Sequence, residues 1–68
     1  MKLIIEIEAE ADGRWLAEVP ALPGVLTYGK TRTDAVARVQ ALALRVLAEK
    51  WEHGAAVLEL VDLSFQVA

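Results

Sequence analysis

One stretch constrains this chain more than any other. Residues 31–53 hold the only pattern long enough for a substantial helix, running Thr-Arg-Thr-Asp-Ala-Val-Ala-Arg-Val-Gln-Ala-Leu-Ala-Leu-Arg-Val-Leu-Ala-Glu-Lys-Trp-Glu-His. Ala35, Val36, Val39, Leu42, Ala43, Val46 and Leu47 recur at i, i+3, i+4 spacing and mark one apolar stripe. Thr31 suits the N-cap. Asp34, three residues on, is placed to reach back to free backbone N–H groups, a capping box with Asp where Glu is usual. Gly54 stands just past the last turn, where a left-handed stop is expected. His53, the only histidine, falls in that last turn, where its polar ring suits the helix dipole and the free carbonyls.

The same helix carries a second stripe. Ala37, Ala41, Leu44 and Ala48 repeat at i, i+4, i+7, i+11 on the side expected to face water, with Trp51 continuing beyond them. Alanines on an exposed face promote helix and need no other reason. Leu44 and Trp51 favour a covered surface instead, since a helix that is apolar nearly all round is usually buried on more than one side.

The residues before the helix read as strands. From Met1 to Glu10 the chain alternates, with Leu3, Ile5, Ile7 and Ala9 on one face and Lys2, Glu6, Glu8 and Glu10 on the other. Ile4 interrupts the polar face. Ala11-Asp12-Gly13 supplies a turn, and Arg14 to Val19 returns as its partner, with Trp15, Ala17 and Val19 on one side and Leu16 on the other. Pro20 and Pro23 rule out a central strand between them, and Pro23-Gly24 fits the middle of a type II turn. Leu22 is placed to plug apolar surface there. Val25 to Tyr28 is a short third strand, and Gly29 and Lys30 lead into the cap. After the helix, Ala55 to Val67 reads as strand with a slipped period. Leu58 and Leu60 share one face and Leu63, Phe65 and Val67 the other, so a bulge is expected at Val61-Asp62, or two short strands. The expected fold is therefore α+β in the order β-β-β-α-β. A three-stranded antiparallel meander carries one long helix, and the last strand returns beside the first and parallel to it.

Size and composition narrow the function classes. A domain of 68 residues buries only about 60% of its unfolded surface, yet 56% of this chain is hydrophobic. An oligomer or a bound partner is the natural use for the surplus. No cysteine is present, which excludes disulfides and thiolate metal sites. No run approaches the ~20 apolar residues of a membrane span, and no signal-peptide pattern opens the chain, so a cytoplasmic protein is expected. A formal charge of −3 argues against direct nucleic-acid binding, which needs a basic face.

No residue pattern announces a chemistry. Glu6, Glu8 and Glu10 share a strand face at ~7 Å intervals and could hold a divalent cation, but such a row more commonly is a solvated face. Ser64 and His53 lack any nucleophile motif. Gly24 to Thr31 matches the Gly-x4-Gly-Lys-Thr spacing, but its intervening residues are apolar and β-prone, unlike a phosphate loop. Trp15, Tyr28, Trp51 and Phe65 have no basic neighbours in register for base stacking. Neither a catalytic residue nor a cofactor is expected.

The segment Asp12-Gly13-Arg14-Trp15, then Val19-Pro20-Ala21-Leu22-Pro23-Gly24-Val25-Leu26-Thr27-Tyr28-Gly29-Lys30-Thr31, then Asp34-Ala35, resembles the HicB-like antitoxin family. That family's pattern joins an Asp-Gly hairpin and a nearby aromatic to a Pro-x-Leu-Pro-Gly loop, a short strand, Gly-x-Thr, an acidic residue and an Ala-rich helix. The likeness runs from residue 2 to about residue 50. Val25 stands where many members carry cysteine, and Lys30 where many carry Asp or Glu. The resemblance implies a partly degraded RNase H-like fold that binds and neutralises HicA, a small basic RNA-cleaving toxin, by occlusion. It implies no nuclease activity here, because no catalytic carboxylate cluster remains. Residues 1–68 are expected to form a single HicB-like domain with no separate DNA-binding domain. The expected partners are a HicA-like toxin and a further copy of the chain, as homodimer or higher homo-oligomer. The sites on which those contacts would fall are Ile4 and Leu16 on the sheet and Ala37, Ala41, Leu44, Ala48 and Trp51 on the helix. Asp12, Gly13, Pro23, Gly24, Gly29, Thr31 and Asp34 are structural, forming turns and cap. The other reading is a stand-alone structural or regulatory dimeric domain without a toxin.

Overall fold

The computed structural model describes residues 1–52 and 62–68. Its elements are β1 (Lys2–Ala9), β2 (Trp15–Glu18), β3 (Leu26–Gly29), α1 (Arg32–Glu52) and β4 (Ser64–Val67). They form a four-stranded sheet in the order β3-β2-β1-β4 with one helix, the α+β architecture that the periodicities predict. β1 pairs antiparallel with β2 and parallel with β4. The expected helix stop at Gly54, the position of His53, and residues 55–61 of the strand expected over 55–67 lie outside the described residues; of the expected bulge at Val61-Asp62 only Asp62 is described, and neither it nor Leu63 is strand.

Local chemistry explains each connection. Gly13, at φ +90°, donates its N–H to Glu10 O at 3.1 Å, and Glu10 N–H reaches Arg14 O at 2.8 Å. Ala11-Asp12-Gly13 is thus a three-residue hairpin loop with glycine at the left-handed position. Asp12 tightens it by accepting Arg14 N–H at 3.0 Å. In the next loop Val25 N–H donates to Leu22 O at 3.0 Å around Pro23 and a Gly24 at φ +84°, which is the type II geometry. Leu22 is buried beneath that loop.

The helix starts as its cap residues dictate. Asp34 N–H donates to Thr31 Oγ1 at 3.0 Å, and the Asp34 carboxylate in turn accepts the N–H of Lys30 at 3.1 Å. The reciprocal bond of the box therefore lands one residue ahead of the cap. Gly29 makes this start possible. A Cβ there would run into the backbone nitrogen of Ala35, with Ala35 Cα at only 2.7 Å.

The core is a single layer between sheet and helix. Leu3, Ile5, Ala17, Val19, Leu22 and Val25 lie on one side and Ala35, Val39, Ala43 and Leu47 on the other, all buried. Ile7, Trp15, Val36, Leu42, Val46, Leu63, Phe65 and Val67 pack around them. Among the described residues no polar side chain is buried. β4 is tied in by Ser64 N–H to Met1 O and Ala68 N–H to Ile5 O, each 2.9 Å.

Candidate partner-binding surface

Strand pleating sends alternate residues to opposite faces. With Leu3 and Ile5 turned to α1, β1 presents Lys2, Ile4, Glu6 and Glu8 on the other face. On β2 that face receives Leu16 and Glu18, with Arg14 just ahead of the strand, and on β3 it receives Leu26 and Tyr28. Ile4, Leu26 and Tyr28 are 38%, 43% and 39% exposed, and Leu16 is half-buried among them. No helix of the described residues covers this face.

Acid and apolar groups interleave there. The register sets Glu6 opposite Glu18 and Glu8 opposite Leu16. Leu16 in turn faces Tyr28, and Glu18 faces Leu26. Like charges directly opposite on a sheet repel. The salt bridges Arg14–Asp12 and Arg38–Asp34 engage other carboxylates and leave Glu6, Glu8 and Glu18 out. Together with Leu16 they line a shallow depression of about 280 Å³.

Toward the hairpin the sign changes. Arg14 holds its Nε 2.7 Å from Asp12 Oδ2 and lays its guanidinium 4.2 Å from the Tyr28 ring centre. The Arg14 N–H, and then its guanidinium, hold the Asp12 carboxyl below its ordinary 3.8. The Asp34 carboxyl is likewise lowered, first by the Lys30 N–H and then by the Arg38 guanidinium. Arg14, Tyr28, Lys30, Asp34 and Arg38 border a second depression of about 190 Å³.

The candidate contact residues fall on two separate surfaces. Ile4 and Leu16 share the open sheet face. Ala37, Ala41, Leu44, Ala48 and Trp51 are exposed on the side of α1 away from the sheet, with Leu44 at 47% and Trp51 at 36%. The structure does not bring the two sets together. Leu26 and Tyr28, which the sequence reading did not place at a contact surface, join the sheet set. Their face follows from the register passed from β1 through β2 to β3.

The other chemical candidates take structural places. Glu10 lies past the end of β1 in the hairpin hydrogen bonds, and no three His, Cys, Asp or Glu side chains gather around a metal-sized space among the described residues. The Gly24-to-Thr31 spacing is occupied by a turn and then by β3, whose ladder to β2 commits the backbone that a phosphate loop would need. Ser64 opens β4. Among the described residues no helix is long and apolar enough to cross a membrane.

No family model matches the chain. A relative named UPF0150 protein Ta0767, from Thermoplasma acidophilum, is 40% identical over 40 residues. That match takes in 59% of this chain and 58% of the relative, so it spans under two thirds of the relative's length. No solved structure matches.

Proposed function

We propose that this chain is a protein-binding module of antitoxin type, which neutralises a small, basic, HicA-like RNA-cleaving toxin by covering it. One observation carries this reading. The open sheet face sets Glu6, Glu8 and Glu18, none of them in the Arg14–Asp12 or Arg38–Asp34 salt bridges, among the exposed Ile4, Leu26 and Tyr28. An RNA-binding surface is cationic, and carboxylates arranged on a firm sheet would occupy it in place of phosphates. The acidic groups would steer the encounter, and the apolar ones would slow release. The partial likeness to UPF0150 protein Ta0767 and the HicB-like pattern from Asp12 to Ala35 support the same reading. In it residues 1–68 act as a cytoplasmic HicB-like domain of degraded RNase H-like type, with no catalytic residue and no cofactor.

The test is co-purification with the product of the adjoining reading frame, followed by an RNA-cleavage assay of the complex. Capture with loss of cleavage is expected. The variant Glu6→Arg/Glu8→Arg should slow association roughly tenfold at low salt, an effect that shrinks as salt rises. Absence of capture, or capture indifferent to this charge reversal, would overturn the proposal. A stand-alone structural or regulatory dimer is the second reading, and the exposure of Leu44 and Trp51 on α1 favours it. A dimer that captures no such partner would identify that case.

A further inference from the structure

The strand order β3-β2-β1-β4 puts β3 at an edge of the sheet. Val19 N–H donates to Val25 O at 3.0 Å, so the odd-numbered residues entering β3 turn their peptide groups toward β2. In an antiparallel ladder that orientation alternates, so the peptide groups of Leu26 and Tyr28 point outward. Leu26 N–H makes a 3.2 Å contact back to Gly24 O, which a better-aligned partner can replace. Beyond its four-residue length, nothing on the strand blunts this edge. Leu26–Gly29 carries no charge and no proline, the usual guards against strand pairing, and the two side chains beside the outward groups are large, apolar and exposed.

We propose that this edge pairs with the β3 of a second copy, antiparallel about a two-fold axis at Thr27. The sequence is self-complementary in that register. Leu26 of each copy stands opposite Tyr28 of the other, an aliphatic–aromatic cross-strand pair made twice on the open face. Thr27 meets Thr27. Lys30, the nearest charge, stands opposite Gly24 and so meets no like charge. Two four-stranded sheets then run on as one, with both acidic faces on the same side. The contact is small for a stable dimer, so it dissociates on dilution. It is independent of the antitoxin reading, since the chain alone shows it.

The test uses the full chain, which has no cysteine. Thr27 would face its copy as a non-hydrogen-bonded pair, with Cα atoms about 4.5 Å apart, inside the disulfide range of about 4.4–6.8 Å. Under mild oxidation Thr27→Cys should yield a covalent dimer on a non-reducing gel, while Leu44→Cys on α1 stays monomeric. Separately, Tyr28→Pro removes an outward N–H and leaves the β2 ladder whole. By sedimentation it should be monomeric, with an unchanged circular dichroism spectrum, at concentrations where the wild type is dimeric. A wild type that stays monomeric at every concentration, a dimer that Tyr28→Pro leaves intact, or a disulfide formed by Leu44→Cys in place of Thr27→Cys would overturn the pairing.

Discussion

Gly29 sets how closely the helix start approaches the sheet, because the space for its absent Cβ is filled by the backbone of Asp34 and Ala35. Neither neighbour is a flexible side chain that could swing away. Gly29→Ala should therefore cost about 1–3 kcal/mol, the range for overpacking, read as a lower denaturant midpoint with an unchanged slope. Five residues further on, Asp34 ties together the strand exit and the first turn of α1. Its folded pKa lies below the ordinary 3.8, so it contributes stability above that value. The contribution is lost as pH falls through the lower folded pKa. Denaturation of wild type and Asp34→Asn should differ at neutral pH and converge in strong acid. Removing the cap oxygen with Thr31→Ala costs about 1 kcal/mol at any pH, which separates the neutral bond from the charged one.

At the scale of elements, the β1–β2 pairing holds an opposed pair of like charges. Glu6 and Glu18 face each other on the open face. Glu18→Gln should stabilise the isolated chain by a few tenths of a kcal/mol at low salt, and added salt should erase the difference. The same substitution should weaken capture of a basic partner, so stability and binding move in opposite directions. The elements themselves were legible because each has local punctuation. Asp12-Gly13, Pro23-Gly24 and Thr31-x-x-Asp34 mark three successive boundaries, and the stripe from Ala35 to Leu47 is buried where its spacing places it. The exposure of Leu26 and Tyr28 was harder to read. It depends on a register handed from β1 through β2 to β3, and four residues of β-prone sequence do not disclose which face they turn outward. Beyond α1 the strand expected to run to Val67 and return parallel beside the first is present at Ser64–Val67, where its pairing with β1 fixes its place. The contact surface was least legible, because acid and apolar residues meet there from separate strands.

For the whole molecule the margin is thin. At about 0.05–0.15 kcal/mol per residue, a domain of this size is held by roughly 3–10 kcal/mol. Ile5 is fully buried at the centre of the core layer, and Ile5→Ala should cost about 2–5 kcal/mol, enough to leave much of the population unfolded at 37 °C by circular dichroism. The sheet is also closed by its most distant partners in sequence. β1 takes β2 on one side through a three-residue loop, and β4 on the other only after everything between has been laid down. Hairpins form in microseconds, whereas the β1–β4 ladder must wait for a long loop to close. During that interval the run Leu3-Ile4-Ile5 has one flank bare, and a neighbouring chain in the same state could take the place reserved for Phe65 and Val67. Crowded synthesis would thus turn a late intramolecular step into a race against entanglement, one that dilution or slower production would win.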